Sequence, residues 1–429
     1  MRWALVVVSL ALSGCFQGGQ PTGSTSLALT GASIIDGTGT PPQADSVVLV
    51  RDGHIVDVGP TSRVVIPRDA RVIDVMGKYV LPGLVDAHVH LDPKRSAVES
   101  YLQLQFEGGV TAVRDMAGDS FLYSQMRSTT HEASAKMSRL YYSATWAGPS
   151  YWNDRRWVGS TQGKAPGTVA WARAIDPSSD LTAEVAAARA LGATGIKVYS
   201  DLQPDVVSRI PAAAHAQGLR VWSHPVVFPT KPSQVVRSGV DVISHAALFV
   251  WEGATRLPVT YHTGTFTDFG PPAPYDSVPV QSQAVIAVLE EMKRRSVLLD
   301  ATVSTIPHSV SDEAARWAYE LTATARQMGI AIVAGTDRDA FETDDGIPLY
   351  GELEALIDKC GLTTGEAITA ATLNGARALG VEKEFGTIEK GRVADLIVVD
   401  ANPLSDIKNL RRVAYVIKGG YVHQPARHR

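Results

Sequence analysis

The chain has 429 residues, 45% of them hydrophobic, and a formal net charge of −4. That length exceeds one ordinary domain, and that composition belongs to a globular protein with a sizeable core rather than to a disordered chain. Near-balanced charge without long runs of one sign argues against nucleic acid and against a polybasic membrane patch, which leaves a small molecule as the expected partner.

In chain order, residues 1–19 (MRWALVVVSLALSGCFQGG) read as a targeting segment: Arg2, a short apolar stretch, then small residues before Cys15. The apolar stretch is too short to span a bilayer as a stable helix. LSGC resembles the lipobox of bacterial lipoproteins, which implies a signal peptide at residues 1–14 and lipidation of Cys15 as the mature N-terminus; the alternative is an ordinary cleaved signal peptide. Residues 15–26 then form a flexible Gly/Ser/Gln tether. This places the protein in the bacterial cell envelope, facing the periplasm and touching the membrane only through its lipid anchor. Only Cys360 remains beyond the tether, so no intrachain disulfide is expected there. A homo-oligomer is compatible with the sequence.

From Leu27 to Val80, short runs rich in β-branched residues (LALTGASIIDG, SVVLVRDGHIVDVG, RVIDVMGKYV) are separated by DG and GK turns and predict antiparallel strands. The same texture returns in GTIEKGRVADLIVVD and VAYVIKGGYV. Residues 27–80 and 381–425 are therefore expected to form one composite β-sandwich domain, with residues 81–380 inserted between them. In that middle stretch eight strand-like runs occur: LVDAHVHLD, VTAVRDM, RLYYSATW, GIKVYS, LRVWSHP, VDVISHA, SVLLDATVST and IAIVAGTD. Helix-forming segments such as LTAEVAAARALGA and SQAVIAVLEEMKRR lie between them, with apolar residues three and four apart. The fold class is α/β. Strands alternating with helices over this length predict a (β/α)8 TIM barrel, with chemistry at the C-terminal strand ends. A doubly wound sheet is the alternative, but no G-x-G-x-x-G follows a strand.

The ionisable residues gather near the ends of these runs. His88 and His90 close the first; two residues apart on a strand, they share a side and can reach one metal ion. Lys197 lies in the fourth run, His224 ends the fifth, His245 the sixth and Asp337 the eighth. Singly, each has an ordinary structural role: a hydrogen-bonded histidine, an N-capping aspartate, a lysine snorkelling from the rim. Together they do not, because independent structural histidines have no cause to fall at matching ends of strands one, five and six.

With PGLVDAHVH, GVTAVRD, the lysine of the fourth run, the two later histidines, GTD and GTIEKGRVADLIVVD, the chain resembles the metal-dependent amidohydrolase superfamily. HVH together with that lysine is similar to its binuclear members, near imidazolonepropionase and the prolidase-like dipeptidases. The resemblance implies that His88, His90 and Asp337 hold one metal, that His224 and His245 hold the other, and that Lys197 bridges them. A lysine can serve as a ligand only if it is deprotonated or converted to an anionic carbamate, and the carbamate supplies two oxygens that could bridge two metals. Two ions about 3.5–4 Å apart would share a water as hydroxide at neutral pH and polarise the scissile carbonyl. Asp337 would take the proton and deliver it to the leaving amine. Zinc suits these ligands, with manganese, iron and cobalt allowed.

Adenosine-deaminase-like members lack the lysine and carry an acid shortly after the fifth-strand histidine. Here the stretch is His224-Pro-Val-Val-Phe, so hydrolysis of an amide-type carbon–nitrogen bond is favoured over deamination. Two long loops should overhang the active face. The first carries Trp146, Tyr151, Trp152, Arg155, Arg156 and Trp157; the second, Trp251, Arg256, Tyr261 and Phe266. With Arg338 beside Asp337, they offer candidate contacts for an apolar substrate bearing a carboxylate, or simply a packed flap. Tyr199 shares the Lys197 face and could hydrogen-bond the substrate carbonyl. SATWAGPSYW lacks the histidine that several prolidase-like relatives carry after strand three, which weakens a transfer of dipeptidase specificity. A prolidase-like Xaa-Pro/Xaa-Arg dipeptidase, a lactonase or phosphotriesterase-like hydrolase, and an inactive lipid-anchored binding protein are the alternatives.

Overall fold

The computed structural model describes residues 26–91, 93–153, 157–258, 260, 273–305, 311–339 and 346–425. The signal peptide, Cys15 and nearly all of the tether lie outside the described residues, as do Arg155, Arg156, Tyr261 and Phe266.

Eight parallel strands follow one another: Leu84–His90, Val110–Asp115, Arg139–Ala147, Gly195–Val198, Arg220–Ser223, Val242–Ser244, Leu298–Asp300 and Ile332–Val333. Each falls on one of the eight apolar runs, the third extending one residue past its run to Ala147, and each of the first seven pairs with its successor. The two ends of the curled sheet meet. Ala87 N donates to Ala334 O (3.1 Å) and Asp337 N to His88 O (2.8 Å), while the short strand Arg338–Asp339 runs parallel to Val89 and His90. The fold is TIM-barrel-like. Two short strands absent from the sequence reading, Thr168–Val169 and Ala172–Ala174, extend the sheet beside the third strand.

Between the strands, amphipathic helices begin where short polar side chains satisfy free amides. Asp119 accepts from Leu122 N, Asp180 from Thr182 N and Ala183 N, and Ser311 from Ala314 N. Alternation then decides what faces the enclosed space. Lys197 aligns with Thr145 on one side and Trp222 on the other, whereas Val198 aligns with Trp146. Trp222, Ala112, Met116, Tyr141 and Val242 form one apolar cluster, below which Ala378 O accepts from Arg114 Nη1 (3.1 Å) and Trp222 Nε1 (3.2 Å). The helix Leu373–Leu379 thereby stoppers the floor of the sheet.

Both ends of the chain build a second sheet of eight strands. Its order is Tyr421–His423, Val413–Lys418, Leu396–Val399, Tyr79–Pro82, Ser26–Ile34, Gln43–Arg51 and His54–Pro60, with Arg71–Asp74 also paired to Ser26–Ile34. Leu27 and Leu29 join one apolar cluster and Ala28, Val47 and Leu49 another, so both faces are covered. Ile397 and Val399 pack into the main core. Asp395, at the foot of their strand, receives Arg139 Nε at 2.6 Å and Gly419 N at 2.7 Å. Among the described residues no helix is long and apolar enough to cross a membrane.

Candidate metal centre

His88 and His90 leave the first strand on the same side, and the turn after the eighth strand carries Asp337 to meet them. One nitrogen from each imidazole and one Asp337 oxygen all lie within 4.8 Å of one another. Asp337 Oδ1 is 3.1 Å from His88 Nε2 and 3.0 Å from His90 Nε2, while Oδ2 is 3.5 Å from His245 Nδ1. Burial opposes the charge on Asp337, yet the facing imidazoles of His245, His88 and His90 hold its carboxyl well below the usual range.

The remaining ligand candidates continue from this group. Ring centroids are 5.3 Å apart for His88 and His90, 5.1 Å for His88 and His245, 4.8 Å for His245 and His224, and 4.5 Å for His224 and Tyr199. Lys197 Nζ lies 5.7 Å from the Tyr199 ring centre and donates to Ser244 Oγ at 2.9 Å. Burial pulls the Lys197 ammonium down to about 8, against the charges of Asp300 and Asp337. Burial and the Lys197 charge also push His224 well below its ordinary value, so both later imidazoles favour the neutral form that a metal needs. All six candidate ligands and Tyr199 are thus neighbours at one end of the sheet.

Three of the eight described non-glycine residues with left-handed φ lie at this group. His245, Thr302 and Asp337 adopt left-handed φ values of 68°, 50° and 53°. Non-glycine residues occupy that region at a cost, and such strain gathers at functional sites.

Three carboxylates that the sequence reading did not single out support the group. Asp300, at the end of the seventh strand, places Oδ2 2.6 Å from His88 Nδ1, with both side chains fully buried. Asp86 accepts from Thr336 N (3.1 Å) and Thr336 Oγ1 (2.8 Å), tying the Asp337 turn to the first strand; burial lifts it to about 7 despite those bonds. Asp115 accepts from Leu91 N, Ala117 N and Gly118 N, fixing the turn after His90. The available signal was the same in each case, an aspartate inside or ending an apolar run.

The candidate substrate contacts fare differently. Trp146 is fully buried on the sheet face away from Lys197 and belongs to the core between sheet and helices. Trp251 is likewise buried, in a T-shaped contact with Phe228 at 5.3 Å between ring centroids. The register turns Trp146 away from Lys197, and Trp251 packs in the same main core, so the burial of both is packing. Arg338 is half-buried in the closing strand beside Val89. From the first long loop, Tyr151 and Trp157 pack on Tyr199 at 5.4 and 6.0 Å, backing that ring with an aromatic wall.

The donor set fits a divalent cation. His88 Nε2 is buried without a hydrogen-bond partner and faces Asp337, the arrangement of an imidazole whose lone pair is kept for a metal.

A model of the amidohydrolase family matches residues 285–422. An imidazolonepropionase of Solibacter usitatus is 25% identical over 392 residues, covering 85% of this chain and 86% of the relative. A 5-methylthioadenosine/S-adenosylhomocysteine deaminase of Symbiobacterium thermophilum is 24% identical over 444 residues, covering 87% and 85%. Among solved structures, a putative prolidase from Bifidobacterium longum superposes with a TM-score of 0.69 at 23% identity, covering 94% of this chain and 96% of the other. The sequence likenesses support the amidohydrolase superfamily and, with it, a metal-dependent hydrolase of carbon–nitrogen bonds, and the structural likeness supports the fold.

Proposed function

We propose, on the premise that this chain is a metal-dependent hydrolase of carbon–nitrogen bonds, that it cleaves an amide-type bond of a small molecule with Asp337 as proton shuttle. The observation that carries this reading is the convergence of His88, His90, Asp337, His245, His224 and Lys197 at one end of a parallel sheet. Divalent ions, when bound, supply a water of lowered pKa and polarise a carbonyl. His88, His90 and Asp337 would hold one ion and His224 and His245 a second, with Lys197, as its carbamate, between them. Zinc fits this ligand set, and manganese, iron or cobalt are compatible with it.

The reading of Asp337 as shuttle is supported by its position among the imidazoles, Oδ1 toward His88 and His90 and Oδ2 toward His245. From there it takes a proton from the attacking water and returns it to the leaving nitrogen. Tyr199, packed on His224 and backed by Tyr151 and Trp157, would donate its hydroxyl to the carbonyl oxygen as negative charge develops there. Lys197, and the absence of an acid in His224-Pro225-Val226-Val227-Phe228, favour hydrolysis over deamination.

The test is a hydrolysis screen of metal-loaded protein against N-acyl amino acids, Xaa-Pro and Xaa-Arg dipeptides, cyclic imides, lactones and phosphotriesters. Turnover of an amide or imide supports the reading, and turnover confined to the esters refutes it. Metal analysis should return two equivalents per chain; fewer than one, unchanged in Lys197→Ala, would overturn the binuclear centre.

The organisation we propose keeps residues 27–80 plus 381–425 as a β-sandwich around the barrel of residues 81–380, held to the envelope through lipidated Cys15. Cys15→Ser should then move the protein from the membrane fraction to the soluble one; unchanged membrane association would refute the anchor.

A further inference from the structure

The seventh strand contributes none of the proposed ligands, yet its end touches both halves of the centre. Asp300 Oδ2 lies 2.6 Å from His88 Nδ1, and the Asp300 carbonyl accepts from His245 N at 2.9 Å. Two residues on, Thr302 Oγ1 lies 3.1 Å from His245 Nδ1. We infer that Asp300 is a positioning residue for the metal centre, holding His88 as an Nε2 ligand by accepting its Nδ1 proton. The inference rests on the reading of His88 as a metal ligand.

A neutral imidazole carries one proton, and the nitrogen without it is the ligand. The His88 ring meets Asp300 on one nitrogen and Asp337, 3.1 Å away, on the other. A carboxylate acceptor on Nδ1 fixes the proton there and leaves the Nε2 lone pair aimed at the site, which also raises the basicity of the ligand. Trp222 packs on the same imidazole edge-on, with ring centroids 6.4 Å apart.

The turn of the eighth strand completes the clamp. A Cβ on Gly335 would sit 2.4 Å from Asp300 Oδ1 and 2.7 Å from His88 Cβ. Glycine is required there for space, because the Asp300 carboxylate and the His88 Cβ are pressed against the bare backbone. The GTD turn therefore does two things: Asp337 supplies a ligand, and Gly335 leaves room for the pair that orients another.

The experiment titrates apoprotein with zinc in competition with a chromophoric chelator, for the unaltered chain and for Asp300→Ala, Asp300→Asn and Gly335→Ala. Circular dichroism is recorded alongside, with the absorption of the cobalt-substituted forms. Loss of such an orienting partner lowers metal affinity by about 10–100-fold. Asp300→Ala should show that loss, with an altered cobalt spectrum and recovery of turnover in excess metal. Asp300→Asn should lie nearer the tenfold end, since its carboxamide oxygen can still accept from Nδ1, and Gly335→Ala should weaken binding although it removes no ligand. A folded Asp300→Ala that binds zinc as tightly as the unaltered chain overturns the inference. Should that variant fail to fold, undiminished affinity in Asp300→Asn overturns it instead. If the unaltered chain itself takes up no metal, the metal-centre reading fails first, a separate outcome.

Discussion

Stripping carbon dioxide from the apoprotein before zinc is added should leave the enzyme inactive, because Lys197 can bridge two cations only after it has become a carbamate. The reaction needs the neutral amine: nitrogen bonds to the carbon of carbon dioxide, and a proton is released. Burial lowers the Lys197 pKa to about 8 from an ordinary 10.5. At pH 7 about one tenth of Lys197 is then neutral, against about 3 parts in ten thousand for an ordinary lysine, a gain of about 300-fold in nucleophile. The sign follows from the lowered value. At a constant concentration of dissolved carbon dioxide, carbamate formation should rise about tenfold per pH unit below 8 and level off above it, whereas an unburied lysine would keep gaining up to about pH 10.5. The assay follows the carbamate signal of isotopically labelled bicarbonate together with regained activity, across pH and with or without bicarbonate. Equal reconstitution in the absence of bicarbonate, or a rate that climbs steadily past pH 9, would refute the reasoning.

Three further outcomes are expected. Asp337→Asn keeps the size of the side chain but cannot carry the proton, so kcat should fall by about 10²–10⁴-fold, the usual worth of general acid–base catalysis, and a fall below tenfold would contradict the shuttle. Tyr199→Phe removes one donor to the carbonyl oxygen and should lower kcat by about 10²–10³-fold with KM little changed; a change confined to KM would assign Tyr199 to binding alone. Asp395→Ala strands Arg139, whose side chain is only 11% exposed, and should destabilise the fold by about 3–5 kcal/mol in denaturant unfolding, with the midpoint unchanged if the pair contributes nothing.

Much of this centre was legible in the sequence, for a physical reason. An imidazole, ammonium or carboxylate at the end of an apolar strand is costly unless it has work there, so His88, His90, Lys197, His224, His245 and Asp337 stood out against their neighbours. The eight parallel strands were legible from the same contrast between apolar runs and helical spacing. Asp300 was overlooked because a lone aspartate closing LLD looks like a turn or a cap, and only the fold shows that residue 300 meets residue 88. Trp146 was misjudged through a one-residue difference: Thr145 aligns with Lys197, so its neighbour must face the other way. The aromatic loop was recognised as a group, yet which rings reach Tyr199 depended on how that loop folds back, and composition carries no such information.

The meeting of the sheet's two ends has a consequence for how such a protein can change. Asp337 donates its own amide to His88 O while its side chain faces the His88 ring, and Thr336 is tied to Asp86 one step below. The aim of the carboxylate is thus inherited from the seam where the two ends of the sheet meet. Loop residues other than Tyr151 and Trp157, which back Tyr199, could be exchanged without disturbing that aim. Selection is then free to redraw what the enzyme recognises while the machinery beneath keeps its alignment.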